Sequence, residues 1–237
     1  MQRIQIFSPH PDDVEIFVGG TMLRHFHDGD KIQVVMMTHG GLGTKARVLQ
    51  GSDELKRTRI KESNARIARM PGAELVWLDF KDASVQCTPD GVLRVKEAIA
   101  SYKPDLIYLP ESARGRSFYR HSDHIQSGQM IEQAAAAYDA SLTLRYYHSA
   151  QQNLLIDVSA HLAENEEALK CYRSQDLVST DPPLLLTQRR ILRWLFAPRL
   201  GLHNPFGIHR LVNRVRAAAN LPAEPGTEAF REERIGA

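Results

Sequence analysis

Hydrophobic residues follow two alternating spacings along the first two thirds of the chain. Short runs rich in Val, Ile and Leu have the length of strands, and the longer segments between them repeat apolar residues at helical intervals. The predicted strands cover residues 4–7, 31–38, 74–80, 105–109 and 144–148, with a further apolar run over 154–158. This alternation predicts right-handed βαβ units, and therefore an α/β fold: a Rossmann-like, mostly parallel sheet with helices on both faces, in three layers.

The segments between the strands carry helix start and stop signals. The predicted helices cover residues 14–28, 52–69, 92–102, the segment from 121–124 to about 140, and 160–172. The pattern weakens from Pro182 onward. We therefore predict a main domain over residues 1–180 and a basic C-terminal extension over 181–237, packed on or near the same domain.

Composition narrows the class of protein. The formal net charge of +2 gives no case for nucleic-acid binding, and Cys87 and Cys171 stand apart without a CxxC partner. No run of apolar residues is long enough to span a bilayer, and the first residues lack the pattern of a signal peptide. We therefore expect a reduced, cytoplasmic setting. The oligomeric state stays open, with a homo-oligomer as one option.

Two polar clusters stand where a predicted strand gives way to a predicted helix. The segment His10-Pro11-Asp12-Asp13 follows the first strand, and His121-Ser122-Asp123-His124 follows the fourth. The carboxyl ends of parallel strands meet at one edge of a sheet, where α/β proteins bind ligands. We therefore expect the two clusters to converge, although they are far apart in the sequence.

The residue types in these clusters suit a divalent metal ion. His121 and His124 share a face of a helical turn, and with His10 and Asp13 they more than supply a site of two histidines and one carboxylate. Such a site leaves an open position on zinc, where a bound water is acidified towards pKa ~7 and becomes a nucleophile. The clusters therefore favour a hydrolytic metal site.

The same clusters supply candidates for proton transfer. Asp12 could take the proton of the water, Asp123 could orient an imidazole, and a histidine outside the ligand set could stabilise an oxyanion. Each cluster alone has an ordinary explanation, since acidic residues cap helix starts and histidine pairs are common on helix surfaces. The remaining histidines lack metal-like spacing and are interpreted as ordinary: His25, His27, His148, His161, His203 and His209.

These residues resemble the signatures of the LmbE-like, or PIG-L, deacetylases. The resemblance rests on residues 10–15 (HPDDVE), 19–21 (GGT) and 121–124 (HSDH), with weaker similarity at Asp79 and over 157–159. That family consists of metal-dependent hydrolases that remove acetyl groups from N-acetylglucosamine units. The resemblance implies a zinc-dependent deacetylase acting on the N-acetyl amide of an amino sugar or glycoconjugate, with another divalent ion such as Fe²⁺ as an alternative to zinc.

The resemblance implies a ligand set and a general base. His10, Asp13 and His124 match the zinc ligands of the family, and Asp12 matches its general base. The chain departs from the family pattern at Ser122, where proline is usual. This departure removes no implied ligand, and it concerns the side of the site that would face the substrate.

Other residues are implied to act around the reacting group. His121 corresponds to the charged group that stabilises the oxyanion, with Asp123 orienting it, and Tyr119 matches a tyrosine that contacts the carbonyl. Arg59 and Glu62, three positions apart on the second predicted helix, are implied to bind the substrate. The alternative for Arg59 and Glu62 is an ordinary pair on the helix surface.

The C-terminal segment over residues 182–223 has an unusual charge distribution. Residues 182–223 contain no acidic residue, whereas arginines accumulate there. A basic amphipathic segment can lie on an anionic membrane surface or bind a phosphate, and the ordinary explanation is a solvated helix face. The functional hypothesis is that Arg189, Arg190 and Arg193 recognise a phosphorylated, nucleotide-linked or lipid-linked substrate, with peripheral membrane contact as a possible consequence.

Three other functions remain alternatives. A nucleotide- or dinucleotide-binding protein needs a glycine-rich first turn, whereas this turn carries prolines and carboxylates that oppose phosphate. An iron(II) oxygenase uses the same two histidines and one carboxylate, but the predicted parallel order offers no jelly-roll strands. A non-catalytic sugar-binding module would keep the pocket without needing Asp12.

Overall fold

A seven-stranded sheet forms the centre of the part of the chain that the structure describes. The computed structural model describes residues 1–43, 49–175 and 227–236, and the predicted basic segment 182–223 lies outside them. The strands are β1 (Arg3–Ser8), β2 (Lys31–Thr38), β3 (Glu74–Phe80), β4 (Leu106–Pro110), β5 (Thr143–Tyr147), β6 (Leu154–Asp157) and β7 (Thr227–Arg234). Their spatial order is β3-β2-β1-β4-β5-β7-β6.

The sheet is mostly parallel. Strand β1 pairs in parallel with β2 and β4, and the β2–β3 and β4–β5 pairs are parallel as well. Strand β7 lies antiparallel between β5 and β6. The predicted α/β fold is confirmed, and the predicted bounds of β1 to β6 agree with the structure to within one residue. Strands covered on both faces have near-continuous apolar runs, which is why the sequence pattern located them well.

Helices cover both faces of the sheet, so the expected three layers are present. They are α1 (Asp13–Phe17), α2 (Gly19–His27), α3 (Asp53–Ile67), α4 (Pro89–Tyr102), α5 (Ser122–Tyr138) and α6 (Leu162–Leu169). On one face, Met22 of α2 and Ile67 of α3 pack with Ile4 of β1. On the other face, Val95 of α4 and Ile131 of α5 pack in the same cluster as Phe7 and Ile107. None of the described helices is both long enough and apolar enough to cross a membrane.

The single helix predicted over residues 14–28 is wrong. It is divided into α1 and α2 at Val18, whose φ of −136° is not helical. The side chain of Asn165, from α6, enters this break and donates to the Glu15 carbonyl at 2.9 Å. A Cβ on Gly19 would lie 2.1 Å from the Asn165 side chain, so glycine is needed for this close approach. The break makes α1 a short element that carries Asp13 at the edge of the sheet.

Strand β7 was not predicted from the sequence. Its residues, TEAFREER, are mostly charged, and a hydrophobic pattern is the signal by which strands are recognised. The charges find partners inside the fold: Arg231 pairs with the buried Glu111, and Glu232 accepts from Arg145 at 2.7 Å. Residues 227–234 therefore form a strand of the central sheet.

Candidate metal centre and active site

The first polar cluster forms a tight turn between β1 and α1. Asp12 has φ 95°, in the left-handed region that residues with a side chain rarely adopt, so the turn is strained. Ser8 stabilises it by donating its hydroxyl to the His10 carbonyl at 2.6 Å, and the His10 amide donates to Asp13 Oδ2 at 2.9 Å. The ring of His10 also lies against Asp13, with Nδ1 3.2 Å from Oδ2. The turn thus holds His10 and Asp13 together.

The second polar cluster begins α5, just beyond β4. The ring of His121 caps this helix, because its Nδ1 accepts the Asp123 amide at 3.2 Å. Asp123 and His124, in the first turn, are buried, whereas His121 is exposed. A Cβ on Gly128 would lie 2.5 Å from the Pro110 carbonyl, so this glycine lets α5 pack directly against the end of β4. That close packing carries His124 to the edge of the sheet.

The structure brings the two clusters together. His124 Nε2 lies 3.1 Å from Asp13 Oδ2, the same oxygen that the His10 ring contacts. Within the described residues, one ligand atom from each of His10, Asp13 and His124 lies within 4.8 Å of the other two. A second combination, His10 with His121 and Asp123, meets the same criterion. The first combination fits a metal better, because the Asp123 carboxylate already accepts backbone amides.

The group formed by His10, Asp13 and His124 fits a divalent ion. His124 is fully buried, and its Nε2 has no hydrogen-bond partner within the described residues although it faces the Asp13 carboxylate. A buried polar atom without a partner is costly, and a shared cation would satisfy both groups. Two imidazole nitrogens and one carboxylate oxygen are ligands that zinc accepts while keeping a position open.

The protonation states of Asp13 and His124 also suit metal binding. Burial acts to raise the pKa of Asp13, but the neighbouring His124 and the contact with the His10 ring hold that pKa well below its ordinary value. Burial lowers the pKa of His124, against the attraction of Asp13. The carboxyl is therefore ionised and the His124 imidazole neutral, and metal ligands of these types need those states.

Three carboxylates surround the ring of His10. Burial acts to lower its pKa, but hydrogen bonds with Asp123, Asp13 and Asp82 outweigh burial and raise the pKa well above its ordinary value. His10 Nε2 lies 3.1 Å from Asp123 Oδ2 and 3.3 Å from Asp82 Oδ1. The carboxylates thus create a strongly negative environment, which favours a cation at this edge of the sheet.

The carboxylate of Asp123 contacts the ring of His10, with Oδ2 3.1 Å from Nε2. The ring of His121 accepts the Asp123 amide, and the implied role of Asp123 in orienting His121 stays a prediction. The carboxylate is fixed in turn by the backbone after β3, accepting from the amides of Ala83 at 2.7 Å and Val85 at 3.3 Å. A carboxylate against the far nitrogen of a metal-binding histidine is a common supporting contact.

Asp12 lies beside the ligand group as a separate carboxyl. It is 8% exposed, and burial and the neighbouring Asp13 raise its pKa well above the ordinary value, against the opposing charges of Arg59 and His10. A carboxyl with a raised pKa is a better proton acceptor than an ordinary one at neutral pH. A role of Asp12 as the general base stays a prediction.

His121 and Tyr119 form the open side of the site. Their rings stack with centroids 6.2 Å apart, and the Tyr119 ring also meets His124 edge-on at 4.7 Å. Burial raises the pKa of Tyr119 to about 12, so its hydroxyl stays protonated at neutral pH. Both side chains are partly exposed. They are placed to donate hydrogen bonds to a group that approaches from solvent.

The two residues implied to bind substrate lie in different surroundings. Arg59 is 1% exposed and donates to the Gly43 carbonyl at 2.7 Å, and its charge acts on Asp12. It is thus buried beside the site and does not belong to a surface pair. Glu62 accepts from the amide and hydroxyl of Ser174, at 2.7 and 2.6 Å. A direct contact of either residue with substrate stays a prediction.

The sequence analysis missed two residues of the site, Asp82 and His148. Asp82 follows β3 and joins the group around His10, whereas Asp79, the residue of weak family similarity, is exposed and contacts His39. His148, interpreted as ordinary, is 2% exposed and its Nε2 lies 3.1 Å from His124 Nδ1. Asp82 lies just after a predicted strand and His148 is the last residue of one, which was the available signal, but neither has metal-like spacing to another ligand.

Fold and site together define a class of protein. It is an α/β protein with two histidines and one carboxylate that could hold a metal ion at the carboxyl edge of a mostly parallel sheet. The family model described as PIG-L: GlcNAc-PI de-N-acetylase matches residues 5–135, which include both polar clusters. The chain therefore belongs to the PIG-L family, as the resemblance implied.

Individual relatives agree with this assignment. A curated relative, the diacetylchitobiose deacetylase of Thermococcus kodakarensis, is 23% identical over 74% of this chain and 70% of its own length. The solved N,N'-diacetylchitobiose deacetylase of Pyrococcus horikoshii superposes with a TM-score of 0.79 over 98% of this chain and 84% of that one, at 19% identity.

The fold alone does not decide the chemistry. A 4-carboxy-2-hydroxymuconate hydratase from Pseudomonas putida superposes with a TM-score of 0.69 over 98% of this chain and 95% of that one, at 17% identity. Because the same fold serves a hydratase and deacetylases, the activity has to be argued from the residues of the site.

Proposed function

We propose that this protein is a zinc-dependent deacetylase that hydrolyses the N-acetyl amide of an amino sugar or a glycoconjugate, releasing acetate and a free amine. The observation that carries the proposal is the convergence of His10, Asp13 and His124, with Asp12 beside them as a separate basic carboxyl. Membership of the PIG-L family and the named activity of the similar curated relative support the choice of an N-acetyl sugar as substrate class.

His10, Asp13 and His124 would hold the zinc ion. The bound ion would supply a Lewis acid for the amide carbonyl and would lower the pKa of a water molecule towards ~7. The chain supplies the rest of the chemistry. Asp12 takes the proton from the attacking water and returns it to the departing amine, because a single carboxyl beside the reacting atoms can act first as base and then as acid.

The charge that develops on the carbonyl oxygen needs donors on the open side of the site. His121 and Tyr119 would supply them. Their rings stack at the open side of the site, and burial raises the pKa of Tyr119 to about 12, so its hydroxyl stays protonated at neutral pH. Donors fixed before the reaction stabilise a developing oxyanion more effectively than water does. The Asp123 and Asp82 carboxylates keep the His10 ring in place during the reaction.

The first experiment combines metal analysis with an assay for amine release. Purified protein is expected to hold one tightly bound zinc ion and to release free amine from one or more N-acetyl amino sugars. A chelator should abolish this release, and added zinc should restore it. If protein carrying its metal released no amine from any N-acetylated mono- or disaccharide or glycoconjugate of the panel, the proposed function would be wrong.

A control variant separates the proposed site from a surface group. His27, His161 and Glu164 also lie close enough to one another to hold an ion, but His27 is exposed and its Nε2 already lies 2.8 Å from Glu164. The Glu164→Gln variant should keep both the tightly bound zinc and the activity. The His124→Asn variant should lose both, and retention of tight zinc binding by this variant would contradict the ligand assignment.

A further inference from the structure

A line of polar groups extends from His124 away from the metal site. His124 Nδ1 lies 3.1 Å from His148 Nε2, and His148 Nδ1 lies 2.9 Å from Ser117 Oγ. Ser117 Oγ in turn lies 2.6 Å from the Tyr119 carbonyl oxygen. His124, His148 and Ser117 are all buried, at 0%, 2% and 3% exposure. Water therefore does not take part freely in these contacts, and each group depends on its neighbours for hydrogen bonds.

The proton of the Ser117 hydroxyl determines which group donates and which accepts in each hydrogen bond of this line. A carbonyl oxygen only accepts hydrogen bonds, so the short contact with Tyr119 O requires Ser117 to donate its single proton there. The Tyr119 amide donates to the same hydroxyl at 3.1 Å, which uses one of its two lone pairs. The second lone pair is left for His148 Nδ1. His148 must therefore carry its proton on Nδ1 and donate it to Ser117.

The surroundings keep His148 neutral. Phe17, Phe118 and Tyr147 place their rings around it, with centroids 5.2, 6.0 and 5.0 Å away. A charged imidazole without a carboxylate partner within the described residues is costly in such a buried, aromatic environment, so His148 is neutral. A neutral imidazole protonated on Nδ1 has a lone pair on Nε2. His148 Nε2 therefore accepts a hydrogen bond from His124 Nδ1.

We propose that Ser117 and His148 act as positioning residues that hold His124 in the tautomer protonated on Nδ1, so that its Nε2 presents a lone pair to the metal. This inference rests on the proposed metal site. With the opposite tautomer, His124 Nε2 would carry a proton on the side that faces Asp13 Oδ2, 3.1 Å away. Nε2 would then have no lone pair for the ion.

The backbone fixes the relative position of the two segments that form the line. Ser117 and Ser149 form an isolated antiparallel bridge, and the Phe118 amide donates to the His148 carbonyl at 3.1 Å. His148 has φ 47°, a left-handed conformation that is unfavourable for a residue with a side chain. These backbone contacts hold His148 in an unfavourable conformation, which fits a role in which the direction of its side chain towards His124 is important.

The decisive measurement is the tautomer of His124 in the metal-free protein. Long-range ¹H–¹⁵N NMR correlations distinguish an imidazole protonated on Nδ1 from one protonated on Nε2. In the wild-type protein we expect His124 and His148 both to be protonated on Nδ1. A His124 ring protonated on Nε2 in the folded, metal-free protein would overturn the proposal, and this measurement needs no variant.

Variants then test the link to metal affinity. His148→Leu removes the acceptor, and Ser117→Ala removes the group that sets the tautomer of His148. Each is expected to weaken zinc binding about 10- to 100-fold, as the loss of a supporting contact to a metal ligand typically does. His148→Gln keeps an acceptor oxygen within reach of His124 Nδ1, so it should recover most of the affinity. The dissociation constant is measured by competition with a chromophoric chelator.

Tyr147→Phe is the matched control for lost stability. It removes a buried hydrogen bond from the Tyr147 hydroxyl to the Phe7 carbonyl, at 2.9 Å, without touching the line. This variant should lower Tm but leave the zinc dissociation constant unchanged. Unchanged zinc affinity in His148→Leu would refute the positioning role while leaving the proposed function intact. Absence of zinc binding by the wild-type protein would instead refute the proposed function.

Discussion

Two buried polar clusters at the carboxyl edge of the sheet differ in how their charges are balanced. We call them the metal cluster, formed by His10, Asp12, Asp13, Asp82, Asp123 and His124, and the Glu111 cluster, formed by Glu111, Arg116, Ser149 and Arg231. The first holds four carboxylates, and the second holds one. Both follow a strand of the same sheet directly, so the local sequence context does not distinguish them.

In the Glu111 cluster every partner of the carboxylate is a donor. Its two oxygens accept from Arg231, Arg116, the Ser149 hydroxyl and the Ala113 amide, at 2.7 to 3.2 Å. Burial acts to raise the pKa of Glu111, but the hydrogen bonds from Arg231 and Ser149 hold it below the ordinary value. Arg116 and Arg231 supply two positive charges, Glu111 supplies one negative charge, and Arg231 also pairs with the exposed Glu233. The charges therefore balance, and this cluster needs no further group.

In the metal cluster the negative charge exceeds the positive charge of the nearby side chains. His10 faces three carboxylates, and His124 Nε2 faces Asp13 without a hydrogen bond within the described residues. A buried charge is costly unless it is paired or binds a metal. The comparison teaches that a balanced buried cluster stabilises the fold, whereas an unbalanced one indicates a binding site for a cation.

The largest effect is expected from removing the basic carboxyl of the metal cluster. Asp12→Asn should lower kcat about 10²- to 10⁴-fold, because the attacking water loses its proton acceptor. Zinc content should stay at the wild-type level, since Asp12 is not in the ligand group. Asp79→Asn is the control, because the Asp79 side chain is 64% exposed and lies outside the cluster. Wild-type turnover by Asp12→Asn would instead favour a different base.

A substitution in the Glu111 cluster should lower the stability of the protein and leave zinc binding unchanged. Arg231→Met leaves the Glu111 charge buried without its main partner, so we expect the free energy of unfolding to fall by about 3–5 kcal/mol. Chemical denaturation measures this change, while the zinc dissociation constant should not change. Glu233, an exposed carboxylate that also pairs with Arg231, gives the control: Glu233→Gln should cost less than about 1 kcal/mol. A loss of zinc affinity in folded Arg231→Met would show that the two clusters are coupled.

The smallest expected effect concerns Glu228, a carboxylate outside both clusters. It accepts from the amides of Gly20 and Thr21, at 2.8 and 2.9 Å, and burial raises its pKa to about 7 from an ordinary value of 4.5. A raised pKa in the folded state means that its stabilising contribution is full below pH ~4.5 and is lost as the pH rises through ~7.

The sign of this effect can be measured by comparing Glu228→Gln with the wild-type protein. Between pH 5 and pH 8 the wild-type protein should lose about 1–3 kcal/mol of unfolding free energy relative to the variant. The exposed Glu97→Gln should show no such difference. If the two stability curves stayed parallel over this pH range, the Glu228 carboxyl would not be protonated at neutral pH.

The parts of the fold that were predicted well are determined by residues close together in the sequence. Strands β1 to β6 are continuous apolar runs with turn signals at their ends, and the two polar clusters follow strands β1 and β4 directly. The parallel order then follows from the alternation of strands and helices, and with it the meeting of the clusters at one edge. The division of the first helix was missed because it depends on Asn165, a residue of α6.

The sequence by itself thus determined the α/β architecture, the edge at which the site lies, and the residues His10, Asp13 and His124 that form its centre. Only the tertiary structure decided that β7 completes the sheet, and that His148 lies behind His124. The physical reason is that these placements depend on partners distant in the sequence: Arg231 reaches Glu111 across 120 positions. Local periodicity carries no information about such partners.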